Sequence, residues 1–248
     1  MSTLIASNLQ ASGGGGTAAL LSSVNGGPLA GMRNLLINGN PIINQRGYVS
    51  GTATSGANQY TLDRWRVVTS GQSITFTDSA NVRTVTAPAG GIEQVIEGLN
   101  ILSGTYVLNW TGTATATVDG TSVAKGGTVT LTGGTNATVR FIGGTFSLPQ
   151  LEPGTVATPF ERRSYGQELA LCQRYFFAGD TGQTYNPGPA GGNDFISVAV
   201  HFPVQMRTAP TMSSGAWVGI TRNVVSIAQY SVPTSWNGGS AFTASAEL

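Results

Sequence analysis

The chain has 248 residues, enough for one large or two modest domains, and of these only 9% are charged while 35 are glycine. Average soluble domains hold about 25% charged residues and about 7% glycine, so this composition, with many threonines and valines, favours short strands and tight turns; we expect an all-β protein. The net charge of +1 is spread along the chain, which argues against nucleic acid or an anionic membrane as partner.

Residues 1 to 33 form a separate segment by composition. They contain the run Gly13 to Gly16, many Ala and Ser residues and a single charge, Arg33. Such a segment buries too little apolar surface to fold by itself, so it is either an extended arm that orders when it docks into a larger particle or a disordered tail. It lacks the basic stretch and apolar core of a secretion signal, and no run of about 18 apolar residues occurs in the chain. We therefore expect synthesis in a cytoplasm and no membrane insertion.

From residue 34 onward the pattern predicts strands separated by turns about every 8 to 12 residues, the spacing of sandwiches and barrels. The segment Thr105 to Trp110 alternates strictly, which places Tyr106, Leu108 and Trp110 on one face. We expect these three side chains to point into the core.

Two turns in this region predict hairpins. Asp119 and Gly120 tolerate the positive φ angles of a two-residue type I′ turn, so the Thr-rich strands on either side should pair. Gly133 and Gly134 lie in a similar way between two further strands, which predicts a second hairpin. Charges are so sparse here that threonine hydroxyls must cover the solvent-facing sides of the strands.

One helix is predicted from about Ser164 to Phe176. Ser164 can cap its N-terminus, and Gln167 can close a capping box. Apolar residues recur along one face at helical spacing: Tyr165, Leu169, Cys172 and Phe176. Leu171 and Tyr175 lie off this stripe, so a second surface has to be covered, and we expect a homotrimer.

Beyond the helix, residues 179 to 194 are rich in Gly, Pro and Asn and predict a loop. Strands are predicted at residues 195 to 204, 217 to 221 and 224 to 230. Asp180 and Asp194 bracket the loop and are the one carboxylate pair that we regard as catalytically conceivable.

The chain offers little for a metal or a cofactor. Cys172 is the only cysteine, which excludes an intrachain disulfide, and no His or second Cys stands near it at zinc-ligand spacing. His201 is the only histidine, so no serine-histidine-aspartate triad can form without it. His201 is either an ordinary strand residue or, in a trimer, one of three imidazoles around a metal on the axis. We expect no cofactor and assign no metal site.

The acidic residues decide whether the chain could be a glycosidase, which needs two carboxylates about 5 to 10 Å apart. Glu93 and Glu97 are predicted on the solvent face of one strand. Asp63 stands before Arg64 and Trp65, an arrangement that we interpret as the edge of the core, with Asp63 and Trp65 on one face of a strand. Three further glutamates fall in segments that we interpret as structural: Glu152, Glu161 and Glu168.

Six segments follow one another along the chain: Asn34 to Asn40 (NLLINGN), Ile43 to Gly47 (INQRG), Tyr60 to Trp65 (YTLDRW), Gln150 to Gly154 (QLEPG), Ala157 to Glu161 (ATPFE) and Glu168 to Phe176 (ELALCQRYF). In this order they resemble blocks of phage and prophage tail-fibre proteins that contain a carbohydrate-binding-module-like jelly roll. The later segment Met206 to Thr211 (MRTAPT) is similar to the C-terminal region of such proteins.

The resemblance implies a jelly-roll β-sandwich at residues 34 to 163, a linking helix at 164 to 176 and a smaller C-terminal β-domain at 177 to 248, in a protein that is usually trimeric. Residues 1 to 33 would then be the arm that attaches the chain to other virion proteins of the tail, collar or head. The stretch from Arg83 to Gly104 is shorter than in longer relatives, which predicts fewer strands and a narrower cleft.

The expected function is that of a bacteriophage fibre or spike subunit, located in the virion, that attaches to glycans on the host surface and is not an enzyme. Sugars are held by aromatic rings with hydrogen-bonding groups around them, so we place the glycan site on loops of the C-terminal domain. The candidate residues are Tyr185, Asn186, Asn193, Asp194, Trp236 and Asn237. Trp217 and Tyr230 either belong to this site or are core residues of their strands. Two alternatives stay open: a spike enzyme that degrades polysaccharide, and a head or collar decoration protein without a receptor.

Overall fold

The computed structural model describes residues 31 to 180, 196 to 213, 217 to 218, 224 to 229 and 241 to 248. Within these ranges the chain forms antiparallel strands, one α-helix and one short 3₁₀ turn, so the all-β class with a single helix is confirmed.

Two large sheets make up the first part of the protein. The six-stranded sheet has the order β1 (Gln59–Tyr60), β2 (Arg66–Val67), β5 (Ile92–Ile96), β10 (Ala137–Ile142), β7 (Thr115–Val118), β8 (Thr121–Val123). The five-stranded sheet has the order β3 (Thr75–Ser79), β4 (Val82–Thr86), β11 (Thr145–Pro153), β6 (Gly104–Gly112), β9 (Gly127–Leu131). From β4 to β11 the chain changes sheet at every step except between β7 and β8.

The two sheets enclose one hydrophobic core. At its centre the rings of Phe141 and Phe146, one from each sheet, stack with centroids 4.4 Å apart, and Trp65 and Trp110 pack against them. Aromatic pairs of this kind stabilise a core beyond the area that they bury. The predicted inward face of β6 is confirmed, because Tyr106, Leu108 and Trp110 are all buried.

The first predicted hairpin is confirmed and the second is wrong. Asp119 and Gly120 have φ angles of 48° and 79° and join β7 to β8, which pair antiparallel. Gly133 and Gly134 instead lie in a segment that crosses from β9 in one sheet to β10 in the other. The segment between β9 and β10 is long enough to cross the core layer, whereas a two-residue turn holds both strands in one sheet.

Helix α1 runs from Tyr165 to Gln173, shorter than predicted. Ser164 caps it as expected, since its hydroxyl accepts from the Gln167 N–H at 3.4 Å, but the Gln167 side chain reaches the Met32 sulfur and does not close the capping box. The predicted stripe is correct for Cys172, which is buried, and wrong for Tyr165, which is 61% exposed.

Two three-stranded sheets follow the helix. One has the order β12 (Phe176–Asp180), β17 (Ala241–Ser245), β14 (Thr211–Met212), and the other β13 (Ile196–His201), β16 (Val224–Gln229), β15 (Trp217–Val218). The strands predicted at residues 195 to 204, 217 to 221 and 224 to 230 correspond to β13, β15 and β16. Strand β12 extends into the segment that was predicted as a loop. His201 is exposed at the end of β13, opposite Val224. A small second core forms around Phe202, Met206 and Phe242.

Candidate ligand-binding cleft

The predicted glycan-site residues, namely Tyr185, Asn186, Asn193, Asp194, Trp236 and Asn237, lie outside the described residues, as does Tyr230. Trp217 belongs to the short strand β15. For Asp180 the structure places the backbone, at the end of β12.

Asn34 joins three segments that are far apart in the sequence. Its backbone N–H donates to the Glu161 carboxylate at 2.9 Å, its side-chain amide donates to the Pro149 carbonyl at 3.1 Å, and its amide oxygen accepts from the Leu151 N–H at 3.1 Å. Asn34 is buried, and buried amide groups that lack such partners would destabilise the fold. The first of the six resemblance segments is thereby tied to the fourth and the fifth.

Asn38 joins the same first segment to the remaining three. Its side-chain amide donates to the carbonyls of Ile43 at 2.9 Å and Asp63 at 3.0 Å, and its carbonyl accepts from the Trp65 indole N–H at 3.0 Å. Its backbone N–H donates to the Glu168 carboxylate. Two asparagines from one segment therefore contact all five others, and we call this set of contacts the asparagine scaffold.

The Asp63-Arg64-Trp65 triplet is structural, as expected, but it does not lie on a strand. It forms a turn in which Arg64 has a φ of 70°, and all three side chains are buried. Burial raises the pKa of Asp63, although hydrogen bonds from the Gln45 backbone and side chain partly offset the effect. The prediction that Asp63 and Trp65 lie on one face of a strand was wrong, because side chains in a turn do not alternate as they do along a strand.

Arg64 connects this turn to the last residues of the chain. Its guanidinium contacts the Glu247 carboxylate, which also accepts from Arg46 at 2.8 Å. The guanidinium carbon of Arg64 lies 3.6 Å from the centre of the Tyr175 ring. Tyr175, predicted to lie on a second helix surface, is buried within its own chain because the helix ends before it. Leu171 packs partly buried against the same cluster, so the expectation of a homotrimer rests on the resemblance to tail-fibre proteins and not on an uncovered helix surface.

Glu97 is buried, not on a solvent face as predicted. Its carboxylate accepts from Arg174 at 3.0 Å and from the Tyr175 hydroxyl at 2.9 Å. Burial works to raise the pKa of Glu97, but the hydrogen bonds from Arg174 and Tyr175 outweigh it, so the pKa lies below its usual value. The prediction failed because both partners stand more than 70 residues away in the sequence.

Glu93 lies on the outer face of the six-stranded sheet and is only 2% exposed, which corrects its predicted place in solvent. Arg66 and Arg140, from the strands on either side, hold its two oxygens at 2.7 Å each. A groove of about 500 Å³ opens over this cluster. Asp119, at the rim of the groove, accepts from the Thr138 N–H at 2.7 Å. We call this region the sheet-face groove.

A second cavity, of about 610 Å³, opens where three segments meet, and we call it the cleft. Its walls are residues 40 to 43, the end of the β3–β4 hairpin at residues 78 to 83, and residues 160 to 168 with the first turn of α1. The tip of the hairpin is Ala80 and Asn81, with φ angles of 49° and 62°. The Asn81 carbonyl accepts from the Asn40 side chain at 2.8 Å and from Arg162 at 3.3 Å, so a single carbonyl links the three walls.

Most charges in the cleft are already paired. Arg83 holds Asp78 through two hydrogen bonds of 2.7 Å, and these bonds keep the pKa of Asp78 below its usual value. Arg163 pairs with Glu168 at 3.1 Å and also donates to the Asn34 carbonyl, which connects the cleft wall to the asparagine scaffold. A general acid needs a raised pKa, and Asp78 has the opposite.

Several side chains that line the cleft are exposed, and three of them provide an apolar surface or free hydrogen-bond donors for a ligand. Tyr165 presents its ring from the first turn of α1, and Ile42 is exposed on the opposite segment. Arg162 is exposed and, within the described residues, its side chain donates only to the Asn81 carbonyl and makes no ion pair. An exposed ring with donors beside it is the usual composition of a small-molecule site.

Sequence reasoning missed the cleft because its walls are brought together only by folding. Asn40 and Asn81 are 41 residues apart, and Asn81 and Arg162 are 81 apart. One local signal was present: Tyr165 directly follows the cap residue Ser164, and a residue in the first turn of a helix is often outside its packed stripe.

The described residues contain no group of three or more His, Cys, Asp or Glu side chains that could hold a metal ion. Across the same ranges no helix has the length and apolar character needed to cross a membrane. No family model matches the chain, and comparisons with curated proteins and with solved structures found no similar protein.

Proposed function

We propose that the chain is a structural protein of a tailed bacteriophage virion, a fibre or spike subunit that binds glycans of the host surface. The asparagine scaffold carries this proposal. Six segments resemble tail-fibre proteins, and in the fold Asn34 and Asn38 join all six through direct hydrogen bonds. Segments that matched by chance would have no reason to meet at two side chains.

The strand order supports the jelly-roll part of the proposal. A jelly roll consists of eight strands in two four-stranded sheets that exchange strands as two Greek keys. Here β4, β11, β6 and β9 are neighbours in one sheet, and β5, β10, β7 and β8 are neighbours in the other. This is the arrangement expected of such a fold, with β1, β2 and β3 added at the edges.

The composition of the cleft supports glycan binding. Sugars present apolar C–H faces to aromatic rings and hydroxyl groups to hydrogen-bonding side chains. Tyr165 supplies an exposed ring, while Asn81 and Arg162 supply polar groups beside it. The cleft adds to the proposed sites on the C-terminal loops and does not replace them.

The polysaccharide-degrading enzyme remains the second candidate, because Asp78 and Glu168 both line the cleft. In support of binding, both carboxylates are engaged by arginines, and the carboxyl with a raised pKa, Asp63, is buried in the scaffold instead. Incubation of the protein with host polysaccharide should release no reducing ends. Release that disappears in Asp78→Asn would establish the enzyme.

Binding is tested with the full chain on an array of bacterial surface polysaccharides. Tyr165→Ala should weaken binding about tenfold, because the ring supplies the apolar contact, and should leave the melting temperature unchanged. Leu99→Ala is the matched control, since Leu99 is also exposed but does not line the cleft. Unchanged binding by Tyr165→Ala would place the site elsewhere, and binding of no glycan by the wild type would contradict the function.

Attachment is tested on whole particles. We propose that the chain joins other virion proteins through its first 33 residues and assembles as a homotrimer. Arg33 pairs with Glu152 at 2.8 Å, so the deletion that tests the arm should end at residue 30. The shortened chain should fold, sediment at three times its own monomer mass and fail to join particles. Antibody labelling on the head in electron microscopy would instead favour the decoration protein.

A further inference from the structure

We infer that the cleft selects acidic saccharides, those that carry a carboxylate on the sugar, through Arg162. The inference rests on the proposed glycan binding and adds the chemical class of the ligand. It follows from the charges that line the cleft, from the position of helix α1 and from the exposed apolar surface beside them.

The cleft has one positive charge in excess. Five charged side chains line it, and two arginines are neutralised, Arg83 by Asp78 and Arg163 by Glu168. Arg162 is the fifth, and no carboxylate of the described residues lies within ion-pair distance of it. Only one of its guanidinium nitrogens donates a hydrogen bond, to the Asn81 carbonyl at 3.3 Å. The guanidinium therefore keeps donors free for a planar anion.

The start of helix α1 reinforces this charge. Ser164 and Tyr165 both line the cleft, so the positive end of the helix dipole lies on the same wall as Arg162. The Ser164 hydroxyl satisfies the Gln167 N–H, but the N–H groups of the first helical residues have no acceptor within the helix. A carboxylate at this wall would gain from the guanidinium and from the helix end together.

The apolar part of the cleft indicates a sugar and not a bare anion. The Tyr165 ring and the Ile42 side chain are exposed in the lining of the cleft, and Phe160 lines it as well. The volume of about 610 Å³ lies within the range of about 300 to 1,000 Å³ typical of small-molecule sites. A nucleic acid is not favoured as the ligand, because its binding requires contacts to several phosphates and the cleft offers only one arginine without an ion pair.

The experiment uses polysaccharides printed in native acidic and in carboxyl-reduced neutral form, probed with the full chain. The wild type should bind the acidic form of its ligand about tenfold more tightly at low salt, and the preference should shrink at 0.5 M salt, where exposed charges are screened. Arg162→Gln should bind both forms alike, and Arg162→Lys should restore part of the preference.

Lys125→Gln is the charge-matched control, because Lys125 is exposed and lies outside the cleft lining. It should keep the full preference, and all variants should keep the wild-type melting temperature. Equal binding of both forms by the wild type, or an undiminished preference in Arg162→Gln, would overturn the inference while leaving glycan binding intact. Binding of neither form would contradict the proposed function as well.

Discussion

The sheet-face groove and the cleft contain similar residues but differ in how their charges are used. In the groove, Arg66 and Arg140 close on one carboxylate, Glu93, which is nearly inaccessible. In the cleft, Arg162 makes no ion pair with the described residues and only one hydrogen bond, to the Asn81 carbonyl, and the Tyr165 ring is exposed. Charges that are already paired and buried are not available to a ligand and are costly to break, whereas an exposed charge beside an exposed ring is available. The first prediction tests this contrast directly, the second concerns another buried and paired carboxylate, and the third concerns a wall of the cleft.

The largest expected effect is on the groove. Glu93→Gln should lower the free energy of unfolding by about 3 kcal/mol, because it leaves two arginines facing each other over a buried site. Asp78→Asn is the same chemical change in the cleft, where the Asp78 side chain is 55% exposed, and it should cost less than about 1 kcal/mol. Urea denaturation at pH 7 measures both. Equal losses of unfolding free energy in the two variants would show that charge pairing contributes no more to stability in the groove than in the cleft.

A smaller effect concerns Glu97 and depends on pH. Glu97→Gln removes the negative charge that pairs with Arg174 and one of the two acceptor oxygens, and it should cost about 2 kcal/mol at pH 7. Because the folded pKa of Glu97 lies below its unfolded value of 4.5, its stabilisation is present above pH 4.5 and lost as the pH falls through the folded pKa. The difference between wild type and variant should therefore shrink in acid.

Urea titrations at several pH values between 7 and 3 measure this change. The raised pKa of Asp63 affects stability with the opposite sign in the acid range, but it is common to wild type and variant and cancels in their difference. A difference between the two proteins that stays constant with pH would contradict the assignment of Glu97 as a charged, paired group.

The smallest effect concerns the hairpin tip that forms one wall of the cleft. Ala80 has a φ of 49°, a conformation that costs an L-residue energy but not glycine. Ala80→Gly should raise the free energy of unfolding by about 0.5 kcal/mol, since the relief of strain exceeds the added freedom of the unfolded chain. Thermal denaturation should show a slightly higher melting temperature. Gly120→Ala, at a φ of 79° in the β7–β8 turn, is the reciprocal control and should lower it.

The parts of the fold that were predictable rest on neighbours in the sequence. The alternation of Tyr106, Leu108 and Trp110 was enough to find the inward face of β6, and Asp119 with Gly120 was enough to find a hairpin. The hairpin predicted at Gly133 and Gly134 was wrong, because a glycine-rich segment can also connect strands that belong to different sheets. Local rules identify a turn but not the sheet that receives the next strand.

For the candidate site, the glycan-binding residues predicted on the C-terminal loops stay a prediction, and the cleft in the first part of the chain was not predicted. An exposed aromatic ring beside hydrogen-bonding groups was expected on the C-terminal loops, and the described part of the chain shows such a set in the sandwich, around Tyr165 and Arg162. Neither residue was singled out for this role, because Tyr165 fits an apolar helical stripe and Arg162 stands among other charges.

The sequence by itself determined the all-β class and the position of the one helix in the described residues, with its Ser164 cap, because these depend on composition and on residues a few positions apart. Only the tertiary structure decided that Glu93 and Glu97 are buried, and that Arg162 is the arginine of the cleft that makes no ion pair with the described residues. The physical reason is that pairing with arginines offsets the cost of burying the charges of Glu93 and Glu97, and those arginines, Arg66, Arg140 and Arg174, stand far from them in the sequence.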